Sequence, residues 1–288
     1  MTTAEKTPPG DGEAPPARGG VGRPGGSGGH AYAKTSLIGE SGQVIRFSGK
    51  IFRNLPGAIR FPSEIFRQLG ILILSTSPPM LFLLLMLASE ASLEGHYLLK
   101  QLGVNSYVGL FTAYAQYKVG PIFWGWMLSA KVGTGLVAEL GSMRINDEID
   151  ALEVMGINST AYLLSTRIIA ILIFTPFTYT IGMALMALDS YLLNVFAFGG
   201  VSKGGYLQVF WQFMSQYNFE MSCLNTFVLS IIIILVGCYY GFTASGGPVG
   251  VGTATAKSMI INMVVVSVVG AVFMQLFFGG AGRLPISY

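Results

Sequence analysis

Four carboxylates, Asp147, Glu148, Asp150 and Glu153, crowd one short charged stretch of an otherwise apolar chain, with Arg144 just ahead and Met155 and Gly156 just behind. No nucleophile and base stand together there as covalent catalysis would need, so the stretch reads as a docking surface and not as an active site. The only histidines are His30 and His96, which argues against a histidine-rich metal site. The run GGPVGVGTATAKS has the glycines of a phosphate-binding loop, but Val251 and Ala256 stand where that pattern requires glycine. A dinucleotide fingerprint fails as well, because Gly250 and Gly252 are followed by Thr255 and lead into an apolar run. The chain is therefore not expected to bind ATP, a cofactor or a metal itself.

Four further ionisable residues lie singly in apolar runs: Glu90, Lys118, Lys131 and Asp189. A charge at the centre of a membrane helix costs about 2.5–3.5 kcal/mol on insertion scales. Lys118 must accordingly find a carboxylate, a lipid headgroup or water. Glu90 is a candidate partner, and the equal alternative is an ammonium that snorkels to the interface.

The elements that would position these groups belong to a membrane protein. Hydrophobic residues make up 52% of the chain and charged residues 11%, with a mean hydropathy of +0.59, against about 25% charged in soluble domains. The class expected is an all-α integral membrane protein with one transmembrane domain. A net charge of +3 suits anionic lipid headgroups. With no basic block interleaved with aromatics, no nucleic-acid partner is expected. Cys223 and Cys238 fall in one apolar run, where a continuous helix cannot bring them into disulfide geometry.

Residues 1–43, rich in Gly, Pro, Ala and Ser, lack the apolar side chains that offset ordering entropy and are expected to form a disordered tail. Residues 44–69 repeat Arg46, Arg53, Arg60 and Arg67 beside Ile45, Phe52, Ile59 and Phe66, the pattern of a helix lying in the headgroup plane. Pro56 and Pro62 are expected to divide it. A helix packed on a soluble partner is the alternative.

About five spans come next: residues 70–91, a second within 107–141, then about 161–198, 223–242 and 258–278. Ser75 to Pro79 interrupts the first, as a kink or as the lining of a substrate path. Arg46, Lys50, Arg53, Arg60 and Arg67 flank its start, whereas the loops after the first and third spans carry only Lys100 and Lys203. The positive-inside rule puts the N-terminus in the cytoplasm and the C-terminus on the other side. The acidic stretch then faces the cytoplasm. On a helix from about Asp147 to Met155, Ile149 and Leu152 share one face, while Asp147, Asp150, Glu153 and Val154 lie on another. Asn146 can cap its start, Gly156 can end it in a left-handed turn, and Asn158 or Ser159 can cap the next span. A surface helix that merely closes a connection has the same spacing.

The segment AELGSMRINDEIDALEVMGI followed by AYLLSTRIIA resembles the signature of the MlaE/YrbE permeases, the membrane subunits of ABC transporters that work with MCE proteins. GFTASGGPVGVGTATAKSMIINMVVV resembles that family's second signature, and the likeness runs from about Ile45 to the C-terminus, a permease domain over 44–288. Both motifs and the Gly- and Pro-rich extension are similar to an actinobacterial, mycobacterial-type Mce-system YrbE subunit of the B type.

The resemblance implies a multi-pass protein of the bacterial plasma (inner) membrane, its C-terminus periplasmic. It also implies a second YrbE-type permease as partner, a separate cytoplasmic ABC ATPase, extracytoplasmic MCE-domain proteins of an Mce complex, and import of a lipid or fatty acid. A coupling helix of about 143–156 would meet the ATPase through Arg144, Asp147, Glu148, Asp150, Glu153, Met155 and Gly156. Some positions depart from the pattern. Ser159 and Thr166 replace prolines, Lys131 stands where Arg is common, and Tyr117-Lys118-Val119-Gly120-Pro121 replaces Arg-Glu-x-Gly-Pro. These departures favour a heterodimer. Two rival readings are an ion-coupled carrier using Lys118, Glu90 and Asp189 as a relay, and a non-transporting scaffold.

Overall fold

The computed structural model describes residues 37–279, with side chains from residue 42. No strand occurs among them. The helices are α1 (Leu37–Ala58), α2 (Pro62–Gln101), α3 (residues 108–145), α4 (Glu148–Val154), α5 (Thr160–Ala197), α6 (Lys203–Phe213), α7 (Gln216–Phe242) and α8 (Gly247–Phe278). The tail expected over 1–43 lies outside the described residues as far as residue 36. From Leu37 the chain is helical, so α1 begins earlier than its basic repeat. The extreme C-terminus also lies outside the described residues.

The helix expected over 44–69 is divided, but not at Pro56, which sits inside α1. The break falls between Ala58 and Pro62. Proline is tolerated at the first helical position, where no intrahelical N–H is needed, and Pro62 opens α2 there. Phe66 and Arg67 thus belong to the first span. Its 40 residues extend to about 60 Å, twice the roughly 30 Å of a hydrocarbon core, so α2 projects well beyond it. Helix α1 has two apolar stripes. Ile51 and Ala58 are buried and Phe47 packs on Tyr239 and Phe242 of α7, whereas Ile45 and Phe52, with Ile59 just past the end of the helix, remain exposed beside the arginines. One face holds the helix to the bundle, and the other has the pattern of an interfacial helix.

Helices α2, α5, α7 and α8 are long and apolar enough to cross a membrane. Helix α3 is less apolar, and its contacts identify it as the fifth. Going along it, Trp124 Nε1 donates to Ser230 of α7, Gly133 lies against Ile233 and Leu140 meets Gly241. On its other side Gly125 faces Val266 of α8, Gly133 faces Asn262 and Gly141 faces Val251. Helix α3 therefore runs parallel to α7 and antiparallel to α8, as an out-and-back bundle of five spans requires. Trp124, fully buried, stacks near Phe174 and edge-on to Tyr179 of α5, whose hydroxyl shares a 2.7 Å hydrogen bond with Ser222. Small residues set how closely the helices approach, as is usual where lipid tails give no hydrophobic drive between them.

Within α2, the Ser75–Pro79 interruption is a π turn over Leu72–Thr76 in a helix that stays continuous. A second π turn, Ala115–Val119, stands just ahead of Gly120-Pro121. In both, the closing N–H bonds back five residues, from Ser77 to Leu72 O and from Gly120 to Ala115 O. Proline has no N–H to give, so the wider turn lets the chain pass it without leaving the helix. Cys223 and Cys238 are both free on α7.

Gly109 of α3 and Gly135, farther along the same helix, offer a direct test. A Cβ at Gly109 would lie 2.9 Å from backbone atoms of Tyr206 and Phe210 in α6, whereas Gly135 has nothing within 4 Å. Gly109→Ala should lower thermal stability in detergent by about 1–3 kcal/mol, and Gly135→Ala should leave it unchanged or raise it by about 0.5–1 kcal/mol. Equal Tm values for the two variants would contradict the α3–α6 packing.

Candidate coupling site

Helix α4 joins α3 to α5 and has only seven residues. Too short to hold together by its own hydrogen bonds, it depends on attachments at both ends and beneath. Asp147, its N-cap residue, is left-handed with φ 58° and makes no side-chain cap; Asn146 ends α3 and does not cap α4, contrary to expectation. Asp tolerates this backbone region better than most residues. At the far end Gly156 has φ 78°, the left-handed stop that its position implies, and Asn158 Oδ1 accepts from Ala161 N at 3.1 Å, opening α5.

The inward face carries Ile149, which is 0% exposed, with Leu152 beside it packing on the core. Arg144 Nη1 donates to Asp150 at 2.6 Å, and the same guanidinium sits 5.8 Å from the Phe242 ring. It ties the ends of α3 and α7 to α4. Glu153 accepts from Ser159 Oγ at 2.6 Å. Two of the four carboxylates are thus partly occupied by the chain itself. Asp147 and Glu148 remain exposed, and the tip adds Val154 at 88% and Met155 at 66%. The outward surface is a small apolar tip with acidic flanks.

Below this helix an ion pair closes the hairpin. Arg167 of α5, 5% exposed, donates through Nη2 to Glu139 Oε1 of α3 at 2.5 Å. Its Nη1 is buried without a partner among the described residues. The pair lies on the two spans that carry α4 and links them where they enter the bundle. Glu139 and Arg167 are not among the site residues expected from sequence, although opposite charges in apolar runs on either side of the acidic stretch were a usable signal.

The intramembrane polar candidates are not brought together. Lys118 lies 4.3 Å from the Tyr114 ring centroid and 5.8 Å from Phe278, and it forms no ion pair among the described residues. Glu90 is exposed on α2 and is not its partner. The aromatic rings take the role expected of the carboxylate, through cation–π attraction. Asp189 accepts from Ser89 Oγ at 2.9 Å, and Lys131 is exposed within the π turn Ser129–Gly133. Among the described residues no group of three His, Cys, Asp or Glu could hold a metal.

The second motif lies beside α3. Gly246 and Gly247, at φ 88° and 70°, turn the chain between α7 and α8, a conformation that glycine adopts without steric cost. The start of α8 then rests on α3, Val251 filling the space that a side chain at Gly141 would need.

Residues 65–276 match the family model described as Permease MlaE. A probable ABC transporter permease protein of Rickettsia bellii is 27% identical over 161 residues, 56% of this chain and 62% of that protein. The chloroplastic protein TRIGALACTOSYLDIACYLGLYCEROL 1 of Arabidopsis thaliana is 28% identical over 187 residues, 63% of this chain and 52% of that protein. A probable ABC transporter permease protein of Synechocystis is 25% identical over 172 residues, 57% and 62% of the two chains. The chain spans between 52% and 62% of the length of these relatives. With the family model matched from residue 65 to residue 276, well over half the chain, this multi-pass membrane protein belongs to the MlaE permease family.

Proposed function

We propose that this chain is the membrane permease subunit of an Mce-type ABC transporter that imports lipids or fatty acids across a bacterial plasma membrane. A separate cytoplasmic ATPase supplies the energy, a second permease completes a heterodimer, and MCE-domain proteins meet the complex outside. The observation that carries this reading is α4: pinned by Ile149, jointed by Asp147 and Gly156, and exposing Val154 and Met155 between carboxylates. Such a surface receives force through a small apolar plug, while its charges set orientation. Likeness to probable ABC transporter permeases of Rickettsia and Synechocystis supports the transporter class, and a galactolipid in the name of the Arabidopsis relative supports a lipid cargo. The basic residues of α1 support a cytoplasmic N-terminus, and with it a cytoplasmic α4.

The ATPase contact is tested by substituting the outward face of α4. Glu153→Lys and Val154→Asp should each cut co-purification of the ATPase from native membranes roughly tenfold or more, while Ser159→Ala, which releases Glu153, leaves it near normal. Unchanged association and transport in both charged variants would remove α4 from the interface. Mass spectrometry of the tagged chain in mild detergent should recover an ATPase, a second permease and MCE proteins. Recovery of the chain alone across several detergents would favour the ion-coupled carrier or the scaffold reading.

The Glu139–Arg167 pair has its own expected signature. Glu139→Gln strips the charge from the partner of a buried guanidinium and should cost about 1–3 kcal/mol in stability. It should lower transport while ATPase association persists, because the exposed face of α4 is untouched. Loss of association in step with transport would show that the pair merely holds the fold.

A further inference from the structure

A cavity of about 490 Å³ lies among α3, α5, α6 and α7, far along the spans from α4, with Met183, Ala187, Phe210, Trp211 and Phe219 on its walls. That volume is within the roughly 300–1,000 Å³ of small-molecule sites. None of its lining residues carries a charge. Thr180 and the two glutamines, Gln116 and Gln216, are the polar side chains on its wall. Trp211 is exposed at its rim, so the cavity opens on the flank of the bundle.

Gln116 is the unusual member. It is 1% exposed, its Nε2 donates to Ser190 Oγ at 3.3 Å, and its Oε1 has no partner among the described residues. The Ser190 contact orients the amide, leaving the carbonyl as its unused end. An unpaired amide oxygen in an apolar site carries a desolvation penalty that a ligand donor would remove. Gln116 reaches this wall from the π turn Ala115–Val119, upstream of Pro121. Single π turns inside α-helices often accompany functional positions.

We propose that this cavity binds a neutral, hydroxyl-bearing amphiphile: an apolar chain packs against Met183, Phe210 and Phe219, and its hydroxyl donates a hydrogen bond to Gln116 Oε1. The absence of lining cations excludes a phosphate or carboxylate head from the same position, because its charge would be buried without a partner. The site is built within one chain and needs neither the ATPase nor a second permease. Its test is therefore independent of the coupling assignment.

The experiment uses the purified full chain in detergent with a diazirine-bearing hexadecanol, cross-linked by light and mapped by mass spectrometry. Labelling should fall on Met183, Trp211 or Met214 and be competed by unlabelled hexadecanol at least about fivefold better than by hexadecane, the equivalent of about one hydrogen bond. Hexadecanoate at a pH where it is ionised should compete no better than the alkane. Gln116→Leu should abolish the preference for alcohol over alkane while keeping apolar labelling, and Ala184→Phe should block both probes. Equal competition by alkane and alcohol in the wild-type chain would reduce the site to a non-selective apolar crevice. Strong competition by hexadecanoate would overturn the neutral-head assignment, and labelling confined to other surfaces would overturn the site itself.

Discussion

A backbone carbonyl in hydrocarbon has no water to turn to, so every N–H and C=O of a span must find a partner within the protein. That constraint shapes this bundle more than any single side chain. Proline appears at Pro78, Pro79, Pro121 and Pro176 within spans, and each removes a donor. The helices respond by widening into π turns before Pro78 and Pro121. Along the spans hydroxyls satisfy themselves by donating to carbonyls one turn back: Ser75 to Ile71 O, Thr134 to Ala130 O, Thr166 to Tyr162 O and Thr180 to Pro176 O, all at 2.6–2.7 Å. The spans thereby remain continuous where their sequences suggest breaks. Each widened turn also shifts the register of its helix, which is how Gln116 comes to line a cavity and Lys118 to meet aromatic rings.

Close approach is the second consequence. Because lipid tails are as apolar as the helices, association rests on contact distance and shape. Glycines at 109, 125, 141, 182 and 241 each lie where a side chain would meet a neighbouring helix at 2.6–2.9 Å. Helix α3 depends on them most. It is the least hydrophobic of the five spans, and it is held between α7 and α8 by glycine contacts and by the Trp124 and Trp126 hydrogen bonds. A span rich in polar and small residues is stable in the interior of the bundle because its neighbours, and not the bilayer, surround it.

How much of this was legible in the residues depended on whether a property was local. Hydropathy marked the spans, and the spacing of Ile149, Leu152, Asp150 and Glu153 gave both faces of α4 correctly, with Gly156 as its stop. Charge pairing was harder to read. Glu90 was a candidate partner for Lys118, but the pairing of aromatic rings with the ammonium depends on how α3 meets α8 at Phe278, which no spacing reveals. The start of α2 was misplaced because residues 44–69 repeat every seven positions through the Ala58–Pro62 break. One periodic pattern there covers two helices. Gln116 left no signal, since a lone glutamine in an apolar run is as consistent with a satisfied hydrogen bond as with an unsatisfied one.

The two ends of α4 share a left-handed backbone, at Asp147 and again at Gly156, while its middle is pinned by one buried isoleucine. So short a helix is held in place by Ile149 beneath it, by Arg144 at one end and by Ser159 at the other, and it is tied in this way to both spans that it joins. On the proposed function, a push on Val154 and Met155 would therefore be passed to α3 and α5 together, and the Glu139–Arg167 pair that links those spans would carry part of the load.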